Sequence, residues 1–353
     1  MNILITGVAG FVGSSLAILL KEKYPHYTIS GLDNLKRRGS ELNLPRLKEY
    51  GINFVHGDIR NKEDFYELPA ADCIIECSAE PSVLAGIGSS PDYLVHTNFN
   101  GTINCLDFAA KHKSDFIFLS TSRIYPINQI DAIEIDENEF RFDIAAQQTM
   151  PGISPHGIAE TFPLDGYRSL YGASKLSSEL FINEYHQYSN IRTVINRCGV
   201  IAGPWQMGKI DQGVAVLWMA KHFWEQSLSY IGFGGNGKQV RDMLHIYDLF
   251  RLVDFELHHM DVVNGGTYNA GGGAANSVSL TELTKICATI SGKTIPINRV
   301  AETRQADIKS YITDNRRITE VTGWAPVKSI ENIFEDIHTW LVQHEHSLAP
   351  LLK

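Results

Sequence analysis

The chain has 353 residues, 44% hydrophobic and 20% charged, enough for one large or two ordinary globular domains. Its net charge of −9 argues against nucleic acid or an acidic membrane surface as the main partner. No apolar run approaches the roughly 18 residues of a membrane span, and the N-terminus lacks the pattern of a secretion signal.

The first element is a short buried strand, Ile3-Leu4-Ile5. It leads into Thr6-Gly7-Val8-Ala9-Gly10-Phe11-Val12-Gly13 and a helix running on through Leu16 to Leu20. Three glycines at three-residue spacing let the backbone turn sharply. They bring a helix N-terminus, with its unpaired N–H groups and positive dipole end, close to a pyrophosphate. The spacing is a variant of the dinucleotide fingerprint, so Gly7, Gly10, Phe11, Val12 and Gly13 are candidate cofactor contacts. A second strand, Thr28 to Leu32, ends in Asp33-Asn34, about one βαβ unit on, where a carboxylate accepts hydrogen bonds from an adenosine ribose. A third, Ile52 to Val55, leads to Gly57-Asp58-Ile59, an edge for the adenine pocket. Asp33 repels a 2′-phosphate, so NAD is the expected cofactor. Lys36, Arg37 and Arg38 argue the other way if they hold that phosphate, and are neutral if they form a solvated loop.

Asn61 to Leu68 reads as a short helix, Cys73 to Cys77 as a fourth strand, Pro91 to Lys113 as a long helix and Phe116 to Ser120 as a fifth strand. This alternation predicts an α/β protein with a Rossmann-type doubly wound parallel sheet and ligands at the carboxyl ends of its strands. From Tyr125 to Gly166 the rhythm breaks into Asp, Glu and Pro with little periodicity, the mark of a functional lid or a disordered loop. Its position after the fifth strand favours the lid. Helix signals resume from Arg168 to Gln187, and Thr193 to Asn196 is a sixth strand. Further on come helices at Gly213–Glu225, His245–His258, Ser279–Ile290 and Ile330–His344, and a short strand at Thr267–Asn269. The expected division is an NAD-binding domain, 1–197, carrying the insert 125–166, with the chain returning to it at about 241–270. The smaller substrate domain is mainly 198–353. The five cysteines, Cys73, Cys77, Cys105, Cys198 and Cys287, are odd in number and scattered. They suggest neither a disulfide framework nor a metal site, and a cytoplasmic setting fits.

Tyr171-Gly172-Ala173-Ser174-Lys175 carries the chemistry. Residues four apart share a helix face. A free tyrosine titrates near 10, too high for a base at neutral pH, and a lysine ammonium beside it favours the phenolate. Such a base takes a proton from a sugar hydroxyl while hydride leaves the same carbon. Ser120-Thr121-Ser122 ends the fifth strand facing the same cleft and offers an assisting hydroxyl.

Taken together, these motifs resemble the extended short-chain dehydrogenase/reductases of the nucleotide-sugar epimerase and dehydratase family. The segments 55–62, 211–213 and 235–245 narrow the likeness to its sugar epimerases. The resemblance implies hydride transfer to a tightly held NAD and its return to the same carbon. It matches Thr121, Tyr171 and Lys175 to the catalytic residues and sets Asn98 near the lysine. It places Cys77, Ser78 and Ala79 on the dinucleotide, beside Asp33, Asn34, Asp58 and Ile59. Ser122, Arg123, Gln212, Gln239, Arg241, Arg304 and Asp307 fall on the substrate, the arginines on its diphosphate. A CDP-linked sugar is favoured over a UDP- or GDP-sugar, and a homodimer through the helices at 91–113 and 168–187 is implied.

The chain departs from the family pattern at three points. Glu76-Cys77-Ser78-Ala79 stands where the family usually has His-Leu-Ala-Ala. Val200 stands where an Asn is common after the arginine of the sixth strand. Ser122-Arg123 follows Thr121 where the sugar dehydratases carry Asp-Glu, so an acid for a leaving hydroxyl is missing there and redox-neutral epimerisation is expected.

Overall fold

The computed structural model describes residues 1–208 and 212–353. Asp211, one of the residues carrying the family likeness, lies outside them.

Seven parallel strands form the main sheet: Asn2–Thr6, Thr28–Asp33, Asn53–His56, Cys73–Glu76, Asp115–Thr121, Thr193–Cys198 and Gly266–Ala270. Numbered in chain order, they lie as 3-2-1-4-5-6-7, which puts the switch in strand order at the end of the first strand. Successive side chains point to opposite faces, so each apolar run feeds two cores. Ile3, Ile5, Ile75 and Ile117 pack with Leu16 and Leu20 of the helix Phe11–Lys23 and Leu249 and Val253 of the helix Ile246–His258. Leu4, Ile74, Phe116 and Phe118 pack on the other side with Leu106 and Phe108 of the helix Gly101–His112 and Ile182 of the helix Leu170–Ser189.

After the sixth strand the chain builds a second sheet from Val200–Ala202, Val240–His245, Ser277–Ser279 and Ser310–Tyr311. The helices Val214–Phe223, Leu280–Ser291 and Ile330–Gln343 cover a separate core that includes Met219, Leu283 and Phe334. A last helix, Glu345–Leu352, had no sequence expectation.

Three expected elements differ. The short helix expected over Asn61–Leu68 is a single 3-10 turn, Lys62–Phe65. The helix expected over Pro91–Lys113 is interrupted by a π-turn at His96–Asn100, between Asp92–Val95 and Gly101–His112. Such turns often sit at functional positions, and this one carries Asn98. The insert expected as a bare loop holds a helical turn, Ile127–Asp131, and two hairpins, Ile135–Glu137 with Phe142–Ile144 and Ile153–Ser154 with Gly157–Ile158. Tyr125, Ile130, Ile144, Ile158 and Phe162 are buried against Val240, Ile308 and Tyr311, so its apolar residues serve distant partners and show no local period.

Candidate active site

The Gly7–Gly13 turn lies over the end of the first strand, with Gly7 N donating to Leu32 O at 2.8 Å. A Cβ on Gly13 would stand 2.2 Å from Gly7 O, so the helix start is drawn against the turn more closely than any other residue allows. Gly10 caps the helix with no side-chain hydrogen bond, which leaves the N-terminus to an anion. Phe11 and Val12 are half-buried there. Asp33 accepts from Ala9 N at 3.0 Å and Leu35 N at 2.8 Å, so the expected ribose ligand also braces the turn. Burial raises its carboxyl above the usual range, against the pull of these amides. Its oxygens keep lone pairs for a ribose. Asn34 donates to Asp58 Oδ2 at 2.8 Å, and Asp58 is paired with Arg60 at 2.7 Å. Ile59 is buried against the space where Gly101 lacks a side chain. Cys77, Ser78 and Ala79 are half-buried beside the turn. This cradle fits a dinucleotide: a cramped glycine turn, an uncapped helix start and a carboxylate at the far edge.

Tyr171 and Lys175 stand on the first two turns of the helix Leu170–Ser189, whose cap Ser169 accepts from Gly172 N at 3.2 Å. A Cβ on Gly172 would meet Arg123 O at 2.0 Å, so glycine lets this helix start touch the turn after Thr121. Tyr171 is 9% exposed and burial pushes its phenol up to about 12. A hydrogen bond with Thr121 and the charge of Arg123 act in the opposite direction. Lys175 is 2% exposed, with Nζ 4.1 Å from the centre of the Phe118 ring. Burial lowers its ammonium and Glu76 opposes that. Thr121 caps the turn Ser122–Ile124, which sets Ser122 and Arg123 beside it. Asn98 accepts from Glu80 N at 2.7 Å and donates to Glu80 O at 3.0 Å and Ser174 Oγ at 3.3 Å. It thus ties the loop after the fourth strand to the helix bearing the pair. Glu80 is the carboxyl that sequence motifs did not bring here, yet its charge acts on Tyr171. Only its place two residues past the expected Ser78 contact hinted at it.

A second cluster lies farther out. Arg123, Arg241 and Arg304 gather near Asp307, which is held by Arg304 at 3.0 Å. Arg241 donates to Val240 O at 2.6 Å and Ile308 O at 2.8 Å. Burial, and then Arg123, push its guanidinium down to about 9. Three cations around one committed carboxylate suit a multiply charged anion.

Two further expected substrate ligands make contacts within the protein, and Gln239 Oε1 keeps no hydrogen-bond partner among the described residues. Gln239 donates to Ile231 O at 2.8 Å. Gln212 accepts from Arg37 Nη1 and donates to Glu80 Oε1 at 3.4 Å, while Arg37 Nη2 reaches Met207 O at 2.6 Å. Arg37 follows the second strand and Glu80 the fourth, and these flank the first. The link therefore joins the loops on either side of the first strand's end like a bar. Arg37 joins this bar rather than a solvated loop.

Residues 3–271 match the NAD dependent epimerase/dehydratase family. The chain belongs to that family. Its cofactor is accordingly NAD, and it is an enzyme acting on nucleotide sugars. It is 29% identical to CDP-paratose 2-epimerase of Salmonella typhi, over 96% of this chain and 99% of that one. It is 26% identical to dTDP-glucose 4,6-dehydratase of Streptomyces griseus, over 99% and 97%. The fold matches UDP-glucose 4-epimerase of Thermotoga maritima with a TM-score of 0.77 at 23% identity, over 98% and 100%. Among the described residues no helix is long and apolar enough to cross a membrane.

Proposed function

We propose that this enzyme inverts C2 of a CDP-linked deoxyhexose. The observation that carries epimerisation is the joining of Thr121, Tyr171 and Lys175 at the end of the fifth strand, with Ser122 and Arg123 following where an acid pair would serve elimination. Similarity to CDP-paratose 2-epimerase over nearly the full length supports the substrate and the carbon.

NAD, once bound in the glycine-turn cradle, would supply the acceptor and donor for a hydride at the sugar carbon. Tyr171 removes the hydroxyl proton and later gives it back. Thr121 donates a hydrogen bond to the developing oxyanion, and Lys175 favours the phenolate. Arg123, Arg241 and Arg304 hold the diphosphate, and Asp307 orients Arg304. Gly7 to Gly13, Asp33 and the loop 77–79 would hold the dinucleotide. A separate core around Met219, Leu283 and Phe334 supports a division into a cofactor domain and a substrate domain. Val95, Leu180 and Phe181, exposed on the paired helices, support a homodimer, and five free cysteines suit a cytoplasmic enzyme.

The test is a screen of CDP-, UDP-, GDP- and dTDP-sugars, each deuterated at a defined carbon. CDP-sugar labelled at C2 is expected to give inverted product with the label kept at C2 and none gained from heavy water. Label kept at C4 of a UDP- or GDP-sugar transfers the assignment to the 4-epimerases. Solvent deuterium in the product overturns epimerisation in favour of elimination.

A further inference from the structure

Glu76 ends the fourth strand with no exposed surface. Its register partner in the fifth strand is Phe118, and the Lys175 ammonium lies over that ring. The carboxyl and the ammonium therefore lie buried on the same face of the sheet, close enough to act on each other through charge though without a direct hydrogen bond. Thr102 donates to Glu76 Oε1 at 2.7 Å. Glu76 Oε2 has no hydrogen-bond partner among the described residues, and Thr6, its register partner in the first strand, offers only a hydroxyl beside the Cys105 thiol. An ionisable carboxyl sealed in this way is costly unless a cation answers it. The titratable or polar groups facing it are Lys175 from the helix Leu170–Ser189, Thr102 and Cys105 from the helix Gly101–His112, Cys77 beside it and Thr6. Lys175 is the cation of this set, and Glu76 is the first influence that opposes the effect of burial on Lys175.

We propose that Glu76 is the buried counter-ion of Lys175, a positioning residue that keeps the ammonium charged and fixed behind Tyr171. Its effect on turnover rests on the proposed role of the Tyr171–Lys175 pair, but the ion pair itself does not. Glu76 acts through Lys175 and touches neither sugar nor reacting carbon. Burial pushes its carboxyl up to about 7, and Lys175 and Thr102 hold it down, so this carboxyl changes charge near neutral pH.

Two readouts test this. The first is carbon NMR of full-length protein labelled at the glutamate carboxyls, with Glu76 assigned by its absence in Glu76→Gln. The Glu76 signal is expected to titrate near neutrality and to move to higher pH in Lys175→Met, where its cation is gone. The same midpoint in both proteins overturns the proposal. The second is the pH profile of kcat. Glu76→Gln is expected to lower kcat at least 10-fold and remove the acid limb, with a smaller change in KM. If that variant does not fold, Thr102→Val serves instead: losing a donor to the carboxylate moves the same limb to higher pH. A merely structural glutamate leaves the limb in place, which also overturns the proposal. A wild type inactive on every nucleotide sugar, yet showing the NMR coupling, sinks the proposed function and leaves the ion pair standing.

Discussion

Arg197 and Glu179 form a buried ion pair, with Arg197 Nη2 2.8 Å from Glu179 Oε2. Arg197 belongs to the sixth strand and Glu179 to the helix that carries Tyr171 and Lys175, so the pair pins that helix to the sheet. Arg197 also donates to the Tyr125 hydroxyl, which donates to Asn269. Arg197→Met leaves Glu179 as an uncompensated buried charge, which costs about 3–5 kcal/mol. Urea unfolding of the two proteins measures the difference, and a loss below 1 kcal/mol removes the pair from this role.

Tyr171→Phe is expected to lower kcat by roughly 10²-fold or more while keeping NAD in the purified protein. In the coenzyme-free protein the phenol stands near 12, raised by burial. A nicotinamide cation beside it favours the phenolate, so the Tyr171 midpoint moves down when NAD is bound. Absorbance near 295 nm, taken against Tyr171→Phe, follows that midpoint with and without NAD. An unchanged midpoint contradicts the expected electrostatics.

Arg241→Leu removes one of three cations from the outer pocket without touching the dinucleotide cradle. Charge-assisted hydrogen bonds are worth about 1.5–3 kcal/mol, so KM for the sugar nucleotide is expected to rise about 10- to 100-fold. The NAD content stays as in wild type. An unaltered KM moves the diphosphate elsewhere.

Asp33→Ser is expected to weaken NAD by about 10- to 100-fold on the same scale and to narrow the gap to NADP. Part of the loss comes from the turn itself, because Asp33 also holds Ala9 N and Leu35 N. Calorimetric titration of both coenzymes separates the effects: a slackened turn weakens both, and a lost ribose ligand weakens NAD more. A wild type that prefers NADP reverses the reading of Asp33.

The seven strands and the glycine turn were legible in the sequence because each is a short apolar run closed by turn residues, and period and punctuation are local signals. Tyr171 and Lys175 were legible because four-residue spacing has one meaning on a helix. The insert was not, since Tyr125 and Phe162 find Tyr311 and Val240 far along the chain. The contact of Gln212 with Arg37 was not legible, because nothing local ties it to a residue 175 positions away. Glu80 belongs to no motif and reaches the site through the π-turn at Asn98, a feature without a sequence period.

Glu256 carries a pH effect on stability. It is fully buried, its Oε2 accepts from Asn196 at 2.9 Å, and Oε1 has no partner. Burial pushes its carboxyl from the ordinary 4.5 to about 8, against the Asn196 hydrogen bond. The folded state therefore holds a proton that the unfolded state has released, from about pH 4.5 to 8. Its contribution to stability is largest below that window and declines as pH rises through it, with a slope of up to one proton. Glu256→Gln is expected to flatten the decline, as read by urea midpoints at pH 5, 6.5 and 8 (values chosen to span about that window). An equal decline in the variant assigns it to other groups.

The bar from Arg37 through Gln212 to Glu80 joins the loops on either side of the first strand's end, where the glycine turn lies. The expected effect is on ownership: such a bar favours keeping one coenzyme through many sugars over drawing on the cell's pool. That arrangement has a characteristic failure. If the keto-sugar escapes before the hydride is returned, the coenzyme is left reduced behind the bar, and that molecule drops out of the working population. Activity is then expected to decay with turnovers rather than with time. Added NAD restores it only as fast as the bar opens, whereas a keto-sugar small enough to enter restores it at once.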